Sequence, residues 1–87
     1  MKSAGVVVTR ESVRLPPRSV ARLVFSGAVS VLRIMVSNGC IESTVARFHR
    51  PSRVVEIENE SLDPVTVDLL LLKPKTCRKL YTDIRGA

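Results

Sequence analysis

The stretch VVEIENESLDPVTVDLLLL, residues 54–72, alternates apolar and polar side chains on both sides of one loop. Before the loop, Val55 and Ile57 alternate with Glu56 and Glu58. After the loop the same period continues, and one face would consist of Val65, Val67, Leu69 and Leu71. A period of two residues is typical of β-strands whose two faces differ. The stretch therefore predicts two strands joined by the loop 60–64.

Turn-forming residues recur about every ten to twelve residues, which is the spacing of small all-β domains. These turns are Pro16-Pro17, Ser26-Gly27, Asn38-Gly39, Arg50-Pro51-Ser52 and Glu60–Pro64. Asn-Gly is the strongest signal, because both residues tolerate the positive φ of a tight hairpin turn. The segments between the turns are rich in β-branched residues, which predicts strands at 6–14, 19–26, 29–37, 40–48, 53–59 and 65–72. The Ser-Gly and Asn-Gly turns would join the second, third and fourth strands as a meander.

The fold class that follows is all-β, a small antiparallel β-sandwich of six to seven strands. The segment ENESLDPVTVDLLLL also resembles the loop and last strand of jelly-roll and immunoglobulin-like sandwiches. Residues 1–75 would form this domain, and 76–87 a basic C-terminal tail packed on the domain or on a partner. In the tail, Leu80 and Ile84 have helical spacing, but Leu80, Thr82 and Ile84 also alternate. The tail is therefore either a short helix or an extra strand.

Two predicted strands, 29–37 and 65–72, are apolar on both sides. Because each sheet of a sandwich buries only one face, some of these side chains should remain outside. An exposed apolar patch usually marks a partner surface. The residues expected in it are Val29, Val31, Met35, Leu70 and Leu72. The alternative is that the C-terminal tail covers them.

Charge is unevenly distributed along a chain whose net charge is +6. Residues 1–55 carry a net +7, residues 56–72 a net −5 and residues 73–87 a net +4. In one interpretation the acidic side chains pair with arginines of neighbouring strands in the same molecule. In the other interpretation, the acidic hairpin of one subunit contacts a basic face of the next subunit, as in a ring or filament. The pairs would then join Glu56, Glu58 and Asp68 to Arg14, Arg18 and Arg22.

No catalytic or cofactor-binding pattern is found, so we expect a protein that is not an enzyme and binds no cofactor or metal. His49 is the only histidine and has no acidic or cysteine neighbour in sequence. The four glycines are scattered and form no phosphate-binding loop. Cys40 and Cys77 lack the spacing of a zinc site, so they are expected as buried thiols or, alternatively, as a disulfide. Asn59-Glu60-Ser61 matches the glycosylation sequon.

These observations favour a structural subunit that associates with itself or with other proteins, for example in a virion or filament. No signal peptide or membrane span is predicted, so the location would be cytoplasmic or virion-associated. The many arginines and the absence of glutamine suit a thermophilic source. The alternative function is binding of nucleic acid, for example in a ribonucleoprotein, through phosphate contacts. Its residues would be Arg47, Arg50, Arg53, Lys73, Lys75, Arg78 and Lys79.

Overall fold

The computed structural model describes residues 5–36, 44–47 and 51–86, and these residues form β-strands and turns without a helix. The all-β prediction is confirmed. The strands are β1 (Val6–Leu15), β2 (Ser19–Val36), β3 (Thr44–Arg47), β4 (Ser52–Asn59), β5 (Val65–Pro74) and β6 (Lys79–Gly86). The predicted Asn38-Gly39 turn, Cys40, His49 and Arg50 lie outside the described residues.

All strand pairs are antiparallel, and β2 belongs to two ladders. Residues 30–36 of β2 pair with β5, which pairs with β1 on its other side. We call this the first ladder. Residues 19–25 of β2 pair with β6 on one side. Residues 19–24 and Val29 pair with β4 on the other side, and β4 in turn pairs with β3. We call this the second ladder. Of the two alternatives for the tail, the extra strand is confirmed, since residues 79–86 form β6.

The core takes side chains from the inward sides of both ladders. Alternation assigns these sides correctly in residues 19–25 of β2, in residues 55–59 of β4 and in residues 65–71 of β5, where every second residue is buried. The buried apolar side chains are those of Val13, Leu15, Ala21, Leu23, Phe25, Val29, Val55, Ile57, Val65, Val67, Leu69, Leu71 and Cys77. Cys77 is a free thiol in this core, as expected for a buried cysteine.

The predicted hairpin at Ser26-Gly27 is wrong, because β2 continues through these residues and changes from the second ladder to the first. The connection between β5 and β6 holds the crossing in place. The Ser26 amide donates to the Arg78 carbonyl at 2.9 Å, and the Arg78 amide donates to Ser26 Oγ at 3.0 Å. The Cys77 thiol donates to the Gly27 carbonyl oxygen at 3.5 Å. These contacts satisfy backbone groups that a hairpin turn would have paired within β2.

Asn59, which is fully buried, fastens the β1–β2 turn to the β4–β5 loop. Its Nδ2 donates to the carbonyl oxygens of Leu15, Pro16 and Asp63 at 3.3, 3.0 and 2.9 Å. Its Oδ1 accepts from the Ser61 amide at 3.0 Å and from Ser61 Oγ at 2.8 Å. Because the amide nitrogen is enclosed and occupied, the sequon at this position is not available for glycosylation in the folded chain.

Candidate association surface

The outward side of the first ladder carries a row of aliphatic side chains. We call it the Leu70 face, and its residues are Val6, Val8, Arg10, Ser12, Arg14, Ser30, Arg33, Met35, Thr66, Asp68, Leu70, Leu72 and Pro74. Antiparallel pairing sets them side by side, because directly opposite residues point to the same side of a sheet. Val8 lies opposite Leu72, and Val6 lies opposite Pro74. Val6 and Val8 are 63% and 55% exposed.

Arginines flank this aliphatic row. Arg10 of β1 and Arg33 of β2 are the residues opposite Leu70 on its two sides. No carboxylate among the described residues forms an ion pair with either of them. The one acid of the face, Asp68, accepts a hydrogen bond from Ser12 Oγ. With Arg14, the face carries three arginines and one aspartate, so it combines an aliphatic row with a net positive charge.

Two of the five residues predicted for the apolar patch lie elsewhere. Val29 is buried in the core, and Val31 packs against it from the inward side of β2. The reason is a shift in register between Val31 and Arg33, which leaves Leu32 as an extra residue that is 51% exposed. A β-bulge of this kind reverses the alternation, so Met35 points outward although Val31 points inward. The simple period of two placed all three on one side.

The other three predicted residues, Met35, Leu70 and Leu72, lie on the Leu70 face and are half-buried. The alternative in which the C-terminal tail covers them is wrong. The tail forms β6, which pairs with residues 19–25 of β2 in the second ladder. Among the described residues, no strand pairs across the Leu70 face.

The outward side of the second ladder is different, because its charges are paired. We call it the Arg22 face, and its residues are Val20, Arg22, Val24, Val54, Glu56, Glu58, Tyr81, Asp83 and Arg85. One row across the strands consists of Asp83, Arg22 and Glu56. Arg22 Nη2 and Nε lie 2.6 and 3.0 Å from Glu56 Oε2, and Arg85 Nε lies 3.1 Å from Asp83 Oδ2. The hydrogen bond to Glu56 and its negative charge raise the pKa of the Arg22 guanidinium.

The Arg22–Glu56 pair corrects the prediction that these residues pair across subunits, since they belong to neighbouring strands of one chain. This is the intramolecular alternative that the sequence left open. Asp68 accepts its hydrogen bond from Ser12 of its own chain, and Arg14 lies on the same face one pair further along β1. Of the predicted basic partners, only Arg18 lies outside the ladders, in the β1–β2 turn.

An open cleft of about 520 Å³ lies at the end of the Arg22 face. It is lined by Arg18, Val20, Glu58, Asn59, Glu60, Arg85 and Gly86. Arg18 has a left-handed backbone, with φ of 54°, and its amide donates to the Ser61 carbonyl at 3.1 Å. Among the described residues, no three histidine, cysteine or acidic side chains come together as metal ligands.

Four of the seven predicted phosphate-binding residues lie within one segment, at the end of β5 and the start of β6. These are Lys73, Lys75, Arg78 and Lys79. Lys79 Nζ lies 3.1 Å from Glu11 Oε1, which joins β6 to β1. Arg53 is exposed at the start of β4, and Arg47 is the last residue of β3.

Comparison of the chain with family models, with curated proteins and with solved structures found no match. The described residues include no helix with the length and apolar character needed to cross a membrane.

Proposed function

We propose that this chain is a non-enzymatic structural subunit that associates with further copies of itself through the Leu70 face. The single observation that carries the proposal is the aliphatic row of Leu70, Leu72, Val8 and Val6, flanked by two arginines that have no acidic partner among the described residues. Isolated exposed aliphatic residues are ordinary, but a contiguous row on one sheet face usually marks a protein contact.

The proposed fold of this subunit is a two-layered β-sandwich, with one ladder in each layer. Leu15 and Leu71 from the first ladder share one core with Leu23 and Ile57 from the second. If the two arms of β2 count separately, the described strands amount to seven. The outward faces of the two layers would then be the two broad surfaces through which copies could stack.

We infer that the occupant of the Leu70 face is the Arg22 face of a second copy, because that face offers carboxylates to the arginines of the Leu70 face. The Leu70 face has three arginines and one aspartate, whereas the Arg22 face has three carboxylates and two arginines on β2, β4 and β6, with Arg47 of β3 in register with Glu56. The Arg22 face also offers apolar area at Val20, Val54 and Tyr81, which are exposed. Two copies of the Leu70 face would instead bring arginines together. A contact between unlike faces repeats and builds chains or rings.

A mixing experiment tests this arrangement by blocking one face in each of two variants. Leu70→Lys introduces a charge at the centre of the first face, and Val54→Lys does so on the second. Each variant alone is expected to form smaller particles than the native chain in light scattering. An equimolar mixture is expected to regain complexes that contain both variants, because each still has the face that the other lacks. Leu62→Lys is the matched control, since Leu62 lies in the β4–β5 loop and is 76% exposed.

The proposal fails if the native chain remains monomeric at high micromolar concentration, or if Leu70→Lys has the same mass distribution as Leu62→Lys. Association should also weaken as salt increases. Attraction between the arginines of the Leu70 face and the carboxylates of the Arg22 face is screened over about 8–10 Å at moderate ionic strength. The aliphatic row should retain part of the association under those conditions.

A second candidate, binding of nucleic acid, is favoured by the segment 73–79. Four cations occur in these seven residues without an acid, and of these only Lys79 has an ion-pair partner among the described residues. Lys75 is additionally placed by its amide, which donates to the Gly5 carbonyl at 3.0 Å. Closely spaced lysines and arginines attract phosphates without reading sequence.

The second candidate predicts affinity for RNA or duplex DNA that falls steeply with salt. Replacing Lys73 and Lys75 by glutamate should abolish this binding, whereas replacing Arg10 and Arg33 should reduce association between copies instead. Absence of any binding at about 50 mM salt would remove this candidate, because non-specific phosphate contacts are strongest there.

A further inference from the structure

The outer edge of β6 has no partner strand in the described part of the chain, and three of the exposed residues of β6 are large and apolar. β6 pairs with β2 on one side, and no other described strand pairs with it. Leu80, Tyr81 and Ile84 are 49%, 56% and 43% exposed. Natural edge strands are normally protected by charged side chains, by proline or by bulges. From Tyr81 to Gly86, β6 has no proline and no register shift, and its two charged residues, Asp83 and Arg85, are opposite in sign, so they can pair with those of a second copy.

We propose that β6 is a self-pairing edge through which two copies of this chain join, antiparallel, in a register centred on Ile84. In this register Asp83 of each copy lies opposite Arg85 of the other, and the two Ile84 side chains lie opposite each other. Residues directly opposite in an antiparallel pair share one side of the sheet and interact. The two-fold symmetry therefore forms the Asp83–Arg85 pair twice.

The charges of β6 select this register over its neighbours. Centring the pair on Asp83 would place that carboxylate opposite itself, and centring it on Thr82 would place Lys79 opposite Arg85. Centring it on Tyr81 would place Lys79 of one copy opposite Asp83 of the other, but the alternation of side chains along β6 is interrupted next to Tyr81. The register with β2 shifts between Tyr81 and Lys79, so a strand centred on Tyr81 would have to cross this irregularity.

The edge strand of the first ladder, β1, does not offer a comparable arrangement. Its arginines, Arg10 and Arg14, point outward, whereas its only acid, Glu11, points inward. Since opposite residues share a side, no two-fold register of β1 brings an acid opposite an arginine. Self-pairing of the chain therefore favours β6.

This inference concerns a surface other than the Leu70 face and does not rest on the proposed function. All measurements are therefore made in chains that carry Leu70→Lys, which removes face-to-face contact. Sedimentation of this chain is expected to show a dimer of twice 9.6 kDa. Loss of association through the Leu70 face would leave this dimer intact, so failure of either idea is visible separately.

Charge reversal and exchange provide the decisive comparison. Asp83→Arg alone, or Arg85→Asp alone, places like charges opposite each other twice and should weaken the dimer about tenfold to a hundredfold. The exchange of both residues in one chain restores opposite charges across the two-fold axis. The doubly substituted chain is therefore expected to regain a dimer of nearly native affinity. Thermal melting verifies that all three variants are folded.

Ile84→Cys tests the register independently of charge, in a chain with Cys40→Ser so that the buried Cys77 is the only other thiol. Opposite residues of an antiparallel pair are near enough for a disulfide, so oxidation should link two copies at this position. Leu80→Cys is the control and should not link, because it lies four residues from the centre. A folded Ile84→Cys chain that does not link, or a dimer that the exchange fails to restore, would overturn the proposal.

Discussion

The four consecutive leucines of β5, residues 69–72, are identical in chemistry but lie on opposite sides of the sheet. Leu69 and Leu71 are fully buried, whereas Leu70 and Leu72, between and beside them, point away from the core and are half-buried. The cause is the pleat of the strand, which sends successive side chains to opposite sides. Hydropathy does not distinguish the four leucines. Counting in steps of two from Val65 and Val67 does, because it assigns Leu69 and Leu71 to the buried side.

Polar side chains also differ between the inward and outward sides of the strands. Asn59 points inward at the end of β4 and has five hydrogen bonds, whereas Arg22 and Glu56 pair on the outward side in contact with water. Burial should therefore decide the stability cost of each side chain more strongly than its chemistry does. The outward apolar residues should contribute to association, and the inward residues to folding.

The largest effect is expected for Leu71→Ala, which should lower the free energy of unfolding by about 2–5 kcal/mol. The side chain is fully buried, so its removal loses apolar contacts and leaves a cavity. Urea denaturation followed by circular dichroism measures the change. Leu62→Ala is the control, because Leu62 is in an exposed loop. A cost for Leu71→Ala no larger than that of the control would contradict the assignment of the inward face.

The strand faces could be predicted from the sequence wherever alternation is uninterrupted. In β4, Val55 and Ile57 point inward and Glu56 outward, as the period of two requires. Alternation failed at Leu32, because a bulge has no signature in a run of aliphatic residues that are all acceptable on either side. A one-residue insertion reverses every later side chain, so Val31 and Met35 separated.

The second largest effect is expected for Asn59→Ala, which should lower the free energy of unfolding by about 2–3 kcal/mol. The buried groups that bond to Asn59 would lose their hydrogen bonds. Asn59→Asp sharpens the test, since it has nearly the same shape. It keeps the acceptor for Ser61 but places a carboxylate against the carbonyl oxygens of Leu15, Pro16 and Asp63. We expect Asn59→Asp to be at least as destabilising as Asn59→Ala in thermal melts above pH 6. Equal stability of native chain and Asn59→Asp would show that the amide is not the essential donor.

The role of Asn59 and the crossing at Ser26-Gly27 could not be read from the sequence. Asn59-Glu60-Ser61 satisfies a glycosylation pattern and an Asx turn equally well, and only burial separates the two. Ser26-Gly27 suits a hairpin and also suits a strand that passes between ladders. Arg78, which bonds to Ser26 where β2 passes between the ladders, is more than fifty residues away in sequence. The pairing of β6 with β2 brings the two residues together.

Leu70→Ala should cost less than about 1 kcal/mol in unfolding, since a half-buried side chain loses less apolar contact area. The same substitution should reduce association in light scattering measurably, which Leu71→Ala would do only by unfolding the chain. The two leucines therefore form a matched pair, with equal chemistry and opposite readouts. A Leu70→Ala chain that is as unstable as Leu71→Ala would remove the distinction between the faces.

The candidate surface was only partly predictable, because it is assembled by pairing between distant strands. Leu70, Leu72 and Met35 were found from their two-sided apolar strands. Val8 and Arg10 of β1 were missed. Their spacing of two residues places them on one side of the strand, but nothing in the sequence indicates that β1 pairs with β5. Arg33 of β2 was likewise not predicted for this surface. Register between strands of high sequence separation is the information that was lacking.

The smallest effect is expected for Arg22→Met, which removes the outward ion pair with Glu56. Both partners are in contact with water, so solvent and ions replace the lost contact at little cost. We expect no resolvable change in melting temperature at moderate salt, far less than for Asn59→Ala. Glu56→Gln, which removes the same pair from the other strand, should behave identically. If either substitution destabilises the chain as much as Asn59→Ala does, burial cannot be what separates the two polar regions.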